Sequence, residues 1–91
     1  MQVKLYASLR QAAGTKMMDV EIQPGSTIRD VLVEVTRLFP VLEKSVWKVQ
    51  GELSEFVHVF INGENIRHLA GLDTTLKADD HVDIFPPLVG G

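Results

Sequence analysis

Four stretches of this chain alternate apolar and polar side chains, and one stretch between the second and third repeats on a helical spacing. That order restricts the architecture more than any single residue does. Val3, Leu5 and Ala7 alternate with Lys4, Tyr6 and Ser8; Met18, Val20 and Ile22 alternate with Asp19 and Glu21. Period two means a strand with one buried face. Gln11-Ala12-Ala13-Gly14 reads as a loop with Gly14 turning the chain, so the two strands form a hairpin. Pro24-Gly25 stops the second strand, and Ser26-Thr27 offers a helix N-cap with Asp30 three residues after Thr27. Ile28, Val31, Leu32, Val35, Leu38 and Phe39 then fall on one helical face that Pro40 ends.

Residues 41–55 admit two readings. Leu42, Val46, Trp47, Val49 and Leu53 make either a short helix with an extended piece turning at Gly51, or a loop that packs Trp47 down as a cover. Alternation returns at Val57, Val59 and Ile61, and Asn62-Gly63 signals a tight turn into a return strand beginning at Asn65-Ile66-Arg67. Leu69, Leu72 and Leu76 cross in a turn-rich segment, Asp79-Asp80 turns, and Val82 and Ile84 mark a last strand ending at Phe85. One main helix against one face of a mixed sheet, after an N-terminal hairpin, is an α+β arrangement of the ubiquitin-like β-grasp kind. The helical crossover places the first and last strands side by side as a central parallel pair. The expectation is one β-grasp domain over residues 1–85 and a flexible C-terminal tail over 86–91.

Composition narrows the functions. With 91 residues the chain fits one domain with little spare volume for a deep cavity. Its nine Lys and Arg are scattered without a basic run, and its formal charge is −3, so no nucleic-acid footprint is expected. It has no cysteine, which removes disulfides, thiolate metal sites and cysteine nucleophiles and suits a reducing cytoplasm. No segment reads as a signal peptide or membrane span, so no membrane partner is expected. His58, His68 and His81 lack metal-ligand spacing and read as surface histidines; Glu64, Asp79, Asp80 and Asp83 read as turn or surface charges. No metal site, no bound cofactor and no constellation that is catalytic alone is expected.

The chemistry points instead to the closing residues Phe85-Pro86-Pro87-Leu88-Val89-Gly90-Gly91. Two prolines lack amide donors, so the sheet stops at Phe85 and the following residues are held extended. Six residues can reach about 20 Å when drawn out. Gly90 and Gly91 lack side chains and fit a channel that a Cβ would block. The terminal carboxylate is ionised at neutral pH and can attack the α-phosphate of ATP to form an acyl-adenylate. Alternation supplies a second clue: if Val3, Leu5, Val59, Ile61, Val82 and Ile84 face the helix, then Tyr6, Phe60 and Phe85 face outward beside the root of the tail. Three aromatics there form a candidate docking patch. The competing arrangement has Trp47 and the segment around it covering that face. Arg10 reads either as a partner for a carboxylate on an activating enzyme or as an ordinary solvated cation.

These closing residues resemble those of MoaD, the small subunit of molybdopterin synthase, within the MoaD/ThiS family of ubiquitin-like sulfur carriers. The resemblance extends through Val57-His58-Val59-Phe60-Ile61-Asn62-Gly63-Glu64, Leu72-Asp73-Thr74-Thr75-Leu76, His81-Val82-Asp83-Ile84, and Leu5-Tyr6-Ala7 with Arg10. The segment around Trp47 is similar to the longer MoaD-like proteins. The resemblance implies that a MoeB-like enzyme adenylates Gly91 with ATP and magnesium, that a sulfurtransferase persulfide converts the end to a thiocarboxylate, and that the tail enters a MoaE-like large subunit to give sulfur to a molybdopterin precursor. It implies partner contacts at Tyr6, Arg10, Phe60, Phe85, Pro86, Pro87, Leu88 and Val89, with Gly90 and Gly91 as the reacting end. Other readings share the adenylate: a carrier for thiamine or transfer-RNA thiolation, or a ubiquitin-like modifier joined to lysines. A binding module with an inert tail is the remaining alternative.

Overall fold

The computed structural model describes residues 1–49 and 51–86. In chain order its elements are β1 (Gln2–Leu5), α1 (Ala7–Ala13), β2 (Met17–Asp19), α2 (Ile28–Leu38), α3 (Glu43–Val46), β3 (Trp47–Val49), β4 (Glu52–Leu53), β5 (His58–Ile61), β6 (Glu64–Asn65) and β7 (His81–Phe85). Five strands form one mixed sheet in the order β2-β1-β7-β5-β6, while β3 and β4 pair separately. β1 and β7 run parallel at the centre, with Val3 opposite Val82 and Leu5 opposite Ile84. This is the α+β, ubiquitin-like β-grasp expected from the periodicity.

The buried face of α2 explains why the sheet has an inside. Ile28, Val31, Leu32 and Val35 share one core with Val3, Leu5, Val59, Val82 and Ile84, and all of these side chains are buried. Burying a side chain such as Leu32 contributes about 2 kcal/mol. The helix begins where the sequence places its signal. The Thr27 hydroxyl accepts from the Asp30 amide at 3.4 Å, and Asp30 Oδ2 accepts from the Thr27 amide at 2.9 Å, a reciprocal capping box. It ends at Phe39, before Pro40 opens a 3₁₀ turn over Pro40–Leu42.

Several expectations are corrected. Residues 11–13 are not loop: they finish α1, whose C-cap Gly14 has φ 75° and donates its amide to the Arg10 carbonyl at 2.9 Å. The helix is too short to show periodicity, since Leu9 is its single buried residue. β1 and β2 pair antiparallel as the expected hairpin requires, but the chain between them is α1 and not a loop. The return strand is only Glu64–Asn65, and Ile66 opens a 3₁₀ turn because its side chain is drawn into the core. Leu38 is exposed, lying on the last turn beyond the sheet.

Residues 41–55 take the first of the two readings. The 3₁₀ turn and α3 bury Leu42 and Val46, and the β3–β4 pair turns through Gly51 at φ 84°. Trp47 lies against α2: its indole N–H donates to the Thr36 hydroxyl at 3.2 Å, and that hydroxyl donates back to the Leu32 carbonyl at 3.0 Å. Arg29 Nη1 ties the hairpin to the helix by donating to the Gly51 carbonyl at 2.7 Å. The segment therefore covers the helix side and leaves the opposite sheet face open. Among the described residues, no helix is long and apolar enough to cross a membrane.

Candidate functional site

The open sheet face is set by the register of three strands. Lys4 on β1 lies opposite Asp83 on β7, Asp83 opposite Phe60 on β5, and Phe85 opposite His58. Because their inward neighbours Leu5, Val59 and Ile84 are buried, these side chains must point to the other face. Tyr6 follows β1 directly, and its amide donates to the Ile84 carbonyl at 3.2 Å, which holds it beside the end of β7.

The three predicted aromatics meet there. Tyr6 and Phe85 stack with centroids 4.2 Å apart and planes 10° from parallel. Phe60 meets Phe85 edge-on at 5.4 Å and 83°. Offset stacking and edge contact are the favourable aromatic geometries, each worth about 0.5–1.5 kcal/mol beyond area. All three rings are half-buried, so each keeps a solvent-facing surface. They line an open groove of about 820 Å³ together with His58, Asp83 and Pro86.

Asp83 fixes the edge of this platform. The Tyr6 phenol donates to Asp83 Oδ1 at 2.9 Å. That hydrogen bond, with smaller contributions from burial and from the carboxylate charge, holds the phenol pKa above its ordinary value. The phenol thus stays protonated and keeps its ring oriented against Phe85. Sequence reasoning took Asp83 for a surface charge, yet alternation with the buried Val82 and Ile84 was enough to place it on the aromatic face.

Arg10 is on α1, exposed, and separate from the aromatic groove. It lines a smaller cleft of about 280 Å³ with Lys4, Lys16 and Tyr6. Tyr6 is the shared wall, so a cationic cleft adjoins the aromatic platform on its β2 side. The antiparallel β1–β2 pair brings Lys16 beside Lys4, with Lys4 opposite Met17. Pro86 lines the groove. Pro87, Leu88, Val89, Gly90 and Gly91 lie outside the described residues. Among the described residues, no group of three or more His, Asp or Glu could hold a metal ion.

This arrangement presents a surface and not an enclosed pocket. The aromatic platform lies at the end of the central strand, with Pro86 at its edge.

Comparison with known proteins agrees with the fold and corrects one expectation. The ThiS family model matches residues 3–91. Small archaeal modifier protein 1 of Haloferax volcanii is 34% identical over 91 residues, covering 100% of both chains. A putative sulfur carrier protein of Archaeoglobus fulgidus is 32% identical, covering 99% of this chain and 97% of its own. The solution structure of small archaeal modifier protein 1 from Methanosarcina acetivorans superposes with a TM-score of 0.87 at 40% identity, covering 99% of this chain and 94% of that one. A putative molybdopterin converting factor subunit 1 from Pyrococcus furiosus is more distant, at 27% identity and a TM-score of 0.76. The resemblance to MoaD in particular is therefore overturned: the end-to-end matches of higher identity are to archaeal modifiers and a sulfur carrier. This chain is a member of the ThiS family of ubiquitin-like sulfur carriers.

Proposed function

We propose that this chain is a ubiquitin-like modifier and sulfur carrier of the small archaeal modifier type, acting through the Gly91 carboxylate. The observation that carries the reading is the Tyr6–Phe60–Phe85 platform at the end of β7, the strand that leads directly to the Gly-Gly sequence. It gives an activating enzyme a hydrophobic seat within reach of the reacting end. Lys4, Arg10 and Lys16 offer that enzyme a cationic margin for its carboxylates.

An E1-like activating partner supplies ATP and magnesium. A Gly91 carboxylate oxygen attacks the α-phosphorus, and pyrophosphate leaves. The acyl-adenylate then has two fates. A lysine amine of a target protein attacks the carbonyl, AMP leaves, and an amide forms. Alternatively, the terminal sulfur of a sulfurtransferase persulfide attacks the carbonyl and AMP leaves; a partner thiol then cleaves the resulting acyl disulfide, giving the thiocarboxylate and a disulfide between the two partner sulfurs. This chain contributes the end group and the docking face, while catalysis of each step belongs to the partners. The relatives named as modifiers favour the lysine fate, and the sulfur carrier keeps the second fate in place.

The test is reconstitution with an E1-like enzyme, ATP, magnesium and a sulfide donor, with and without a lysine-bearing target protein. We expect the intact mass to rise by the exchange of one oxygen for sulfur without target, and isopeptide-linked conjugates at target lysines with it. Both products should vanish when Gly91 is deleted, and Phe85→Ala should slow adenylation by about tenfold or more while the chain stays folded. Thiocarboxylate without conjugates would reduce the role to sulfur transfer; neither product with an enzyme competent on another substrate would overturn the reading.

A further inference from the structure

The side of the molecule away from the aromatic platform carries a second surface that carrier chemistry does not use. Between α2 and the β3–β4 pair lies an open cleft of about 730 Å³. Its floor is the half-buried Trp47 ring, whose N–H is already engaged by Thr36 and so presents only its apolar face to an occupant. Val33 and Val49 wall it and are 53% and 55% exposed, unusual for valines on a helix and a strand that pack together.

Its rim is cationic in a chain of formal charge −3. Arg29, Arg37, Lys44 and Lys48, four of the nine Lys and Arg, line this one cleft, against Glu43 as the lining carboxylate. Folding thus gathers what the linear sequence scatters. Two of the four have partners: Arg37 pairs with Glu34, and Arg29 bonds the Gly51 carbonyl and lies 3.9 Å from Asp73. Lys44 and Lys48 make no ion pair among the described residues. Long cationic side chains around an apolar floor suit an occupant with one apolar anchor flanked by carboxylates.

We propose that this cleft is a docking site for an acidic protein segment that inserts one apolar side chain against Trp47. The partner is set by charge complementarity at the rim and by the unfilled apolar floor. The site is independent of Gly91 chemistry, so the same chain can hold a partner on its helix side while its C-terminus is activated from the sheet side.

Trp47 is the chain's one tryptophan, so its fluorescence reports on the cleft alone. The probe is a short synthetic peptide of glutamate and aspartate carrying one central leucine, titrated into the full-length protein. We expect a saturable change in Trp47 emission, with the indole N–H and the Val33 and Val49 amides shifting together in nitrogen–proton correlation spectra. Lys44→Glu/Lys48→Glu should weaken binding by about tenfold or more. Gln23→Glu/Lys77→Glu, which adds negative charge away from this cleft, should leave it intact, and replacing the peptide leucine by serine should abolish the Trp47 response. The proposal is overturned if both double variants lose binding equally, if inorganic phosphate or ATP reproduces the response at the same ionic strength, or if the response follows self-association of this chain. Amide spectra of each variant establish that it is folded before its binding is read.

Discussion

Tyr6 is the chain's one tyrosine, so its ionisation can be followed by ultraviolet absorbance without assignment. Its phenol should titrate above the ordinary tyrosine value, because Asp83 accepts its proton in a hydrogen bond. A raised folded pKa means that this contribution to stability is complete below the ordinary phenol pKa and is lost as pH rises through the folded value. Asp83→Ala should bring the titration back toward the ordinary value; an unchanged titration would show that the hydrogen bond does not govern the ring. The next residue carries backbone strain. Ala7 opens α1 with φ 50°, a left-handed conformation that costs an L-residue about 1–2 kcal/mol. Ala7→Gly should therefore leave stability unchanged or raise it by up to ~1 kcal/mol, and Ala7→Val should lower it by about 1–2 kcal/mol, both read from denaturant midpoints. At this scale the sequence was informative wherever alternation applied. Tyr6, Phe60 and Phe85 follow from the parity of their buried neighbours. Arg10 does not, because its place beside Lys4 and Lys16 depends on a helix of seven residues that no period reveals.

Elements differ in how they are held, and the turn after β5 shows this best. Asn62 and Gly63 both have positive φ, at 50° and 85°. Asn62 is more than a turn residue: its side-chain Nδ2 donates to Asp80 Oδ1 at 2.9 Å, and its side-chain Oδ1 accepts from the His81 backbone amide at 2.9 Å. The turn is thereby fastened to the start of β7. Asp80 also accepts from the Lys77 amide at 2.8 Å, and this bond first, then the Asn62 bond, holds its carboxyl below the usual carboxylate value. A depressed pKa gives stability that is present above the unfolded carboxylate value and lost as pH falls through the folded one. Asp80→Asn should flatten the acid limb of the stability profile, and Asn62→Ala should cost about 1–2 kcal/mol at neutral pH. Asn62-Gly63 was legible as a turn, but its tie to Asp80 was not, since it joins positions 18 apart. The long helix was legible at both ends because its capping box and Pro40 are local signals. α1 could have been found from its run of good helix formers, Leu9-Arg10-Gln11-Ala12-Ala13, before Gly14.

Across the whole molecule, order in the sheet should track distance from its centre. β7 lies between β1 and β5 and is hydrogen-bonded on both edges, whereas β6 has two residues and β3–β4 stand outside the main sheet. Native-state hydrogen exchange should be slowest in β1, β5 and β7 and fastest in β6 and β3–β4. Equal protection in β3–β4 would show that Trp47 and Arg29 bind the hairpin into the same cooperative unit. The division of the surface into an aromatic sheet face and a cationic helix face is a property of the folded chain alone. Linear order fixes neither the companions of Lys44 and Lys48 nor the side on which Trp47 comes down. A ribosome makes β1 before every other element of this fold, but the strand that completes its inner edge, β7, is the last of them. A nascent chain stopped short of Phe85 would hold β1 with its inner edge open and α2 without half its floor. Translation through Phe85 is thus a condition of folding, so products that stop before it would be left to proteases.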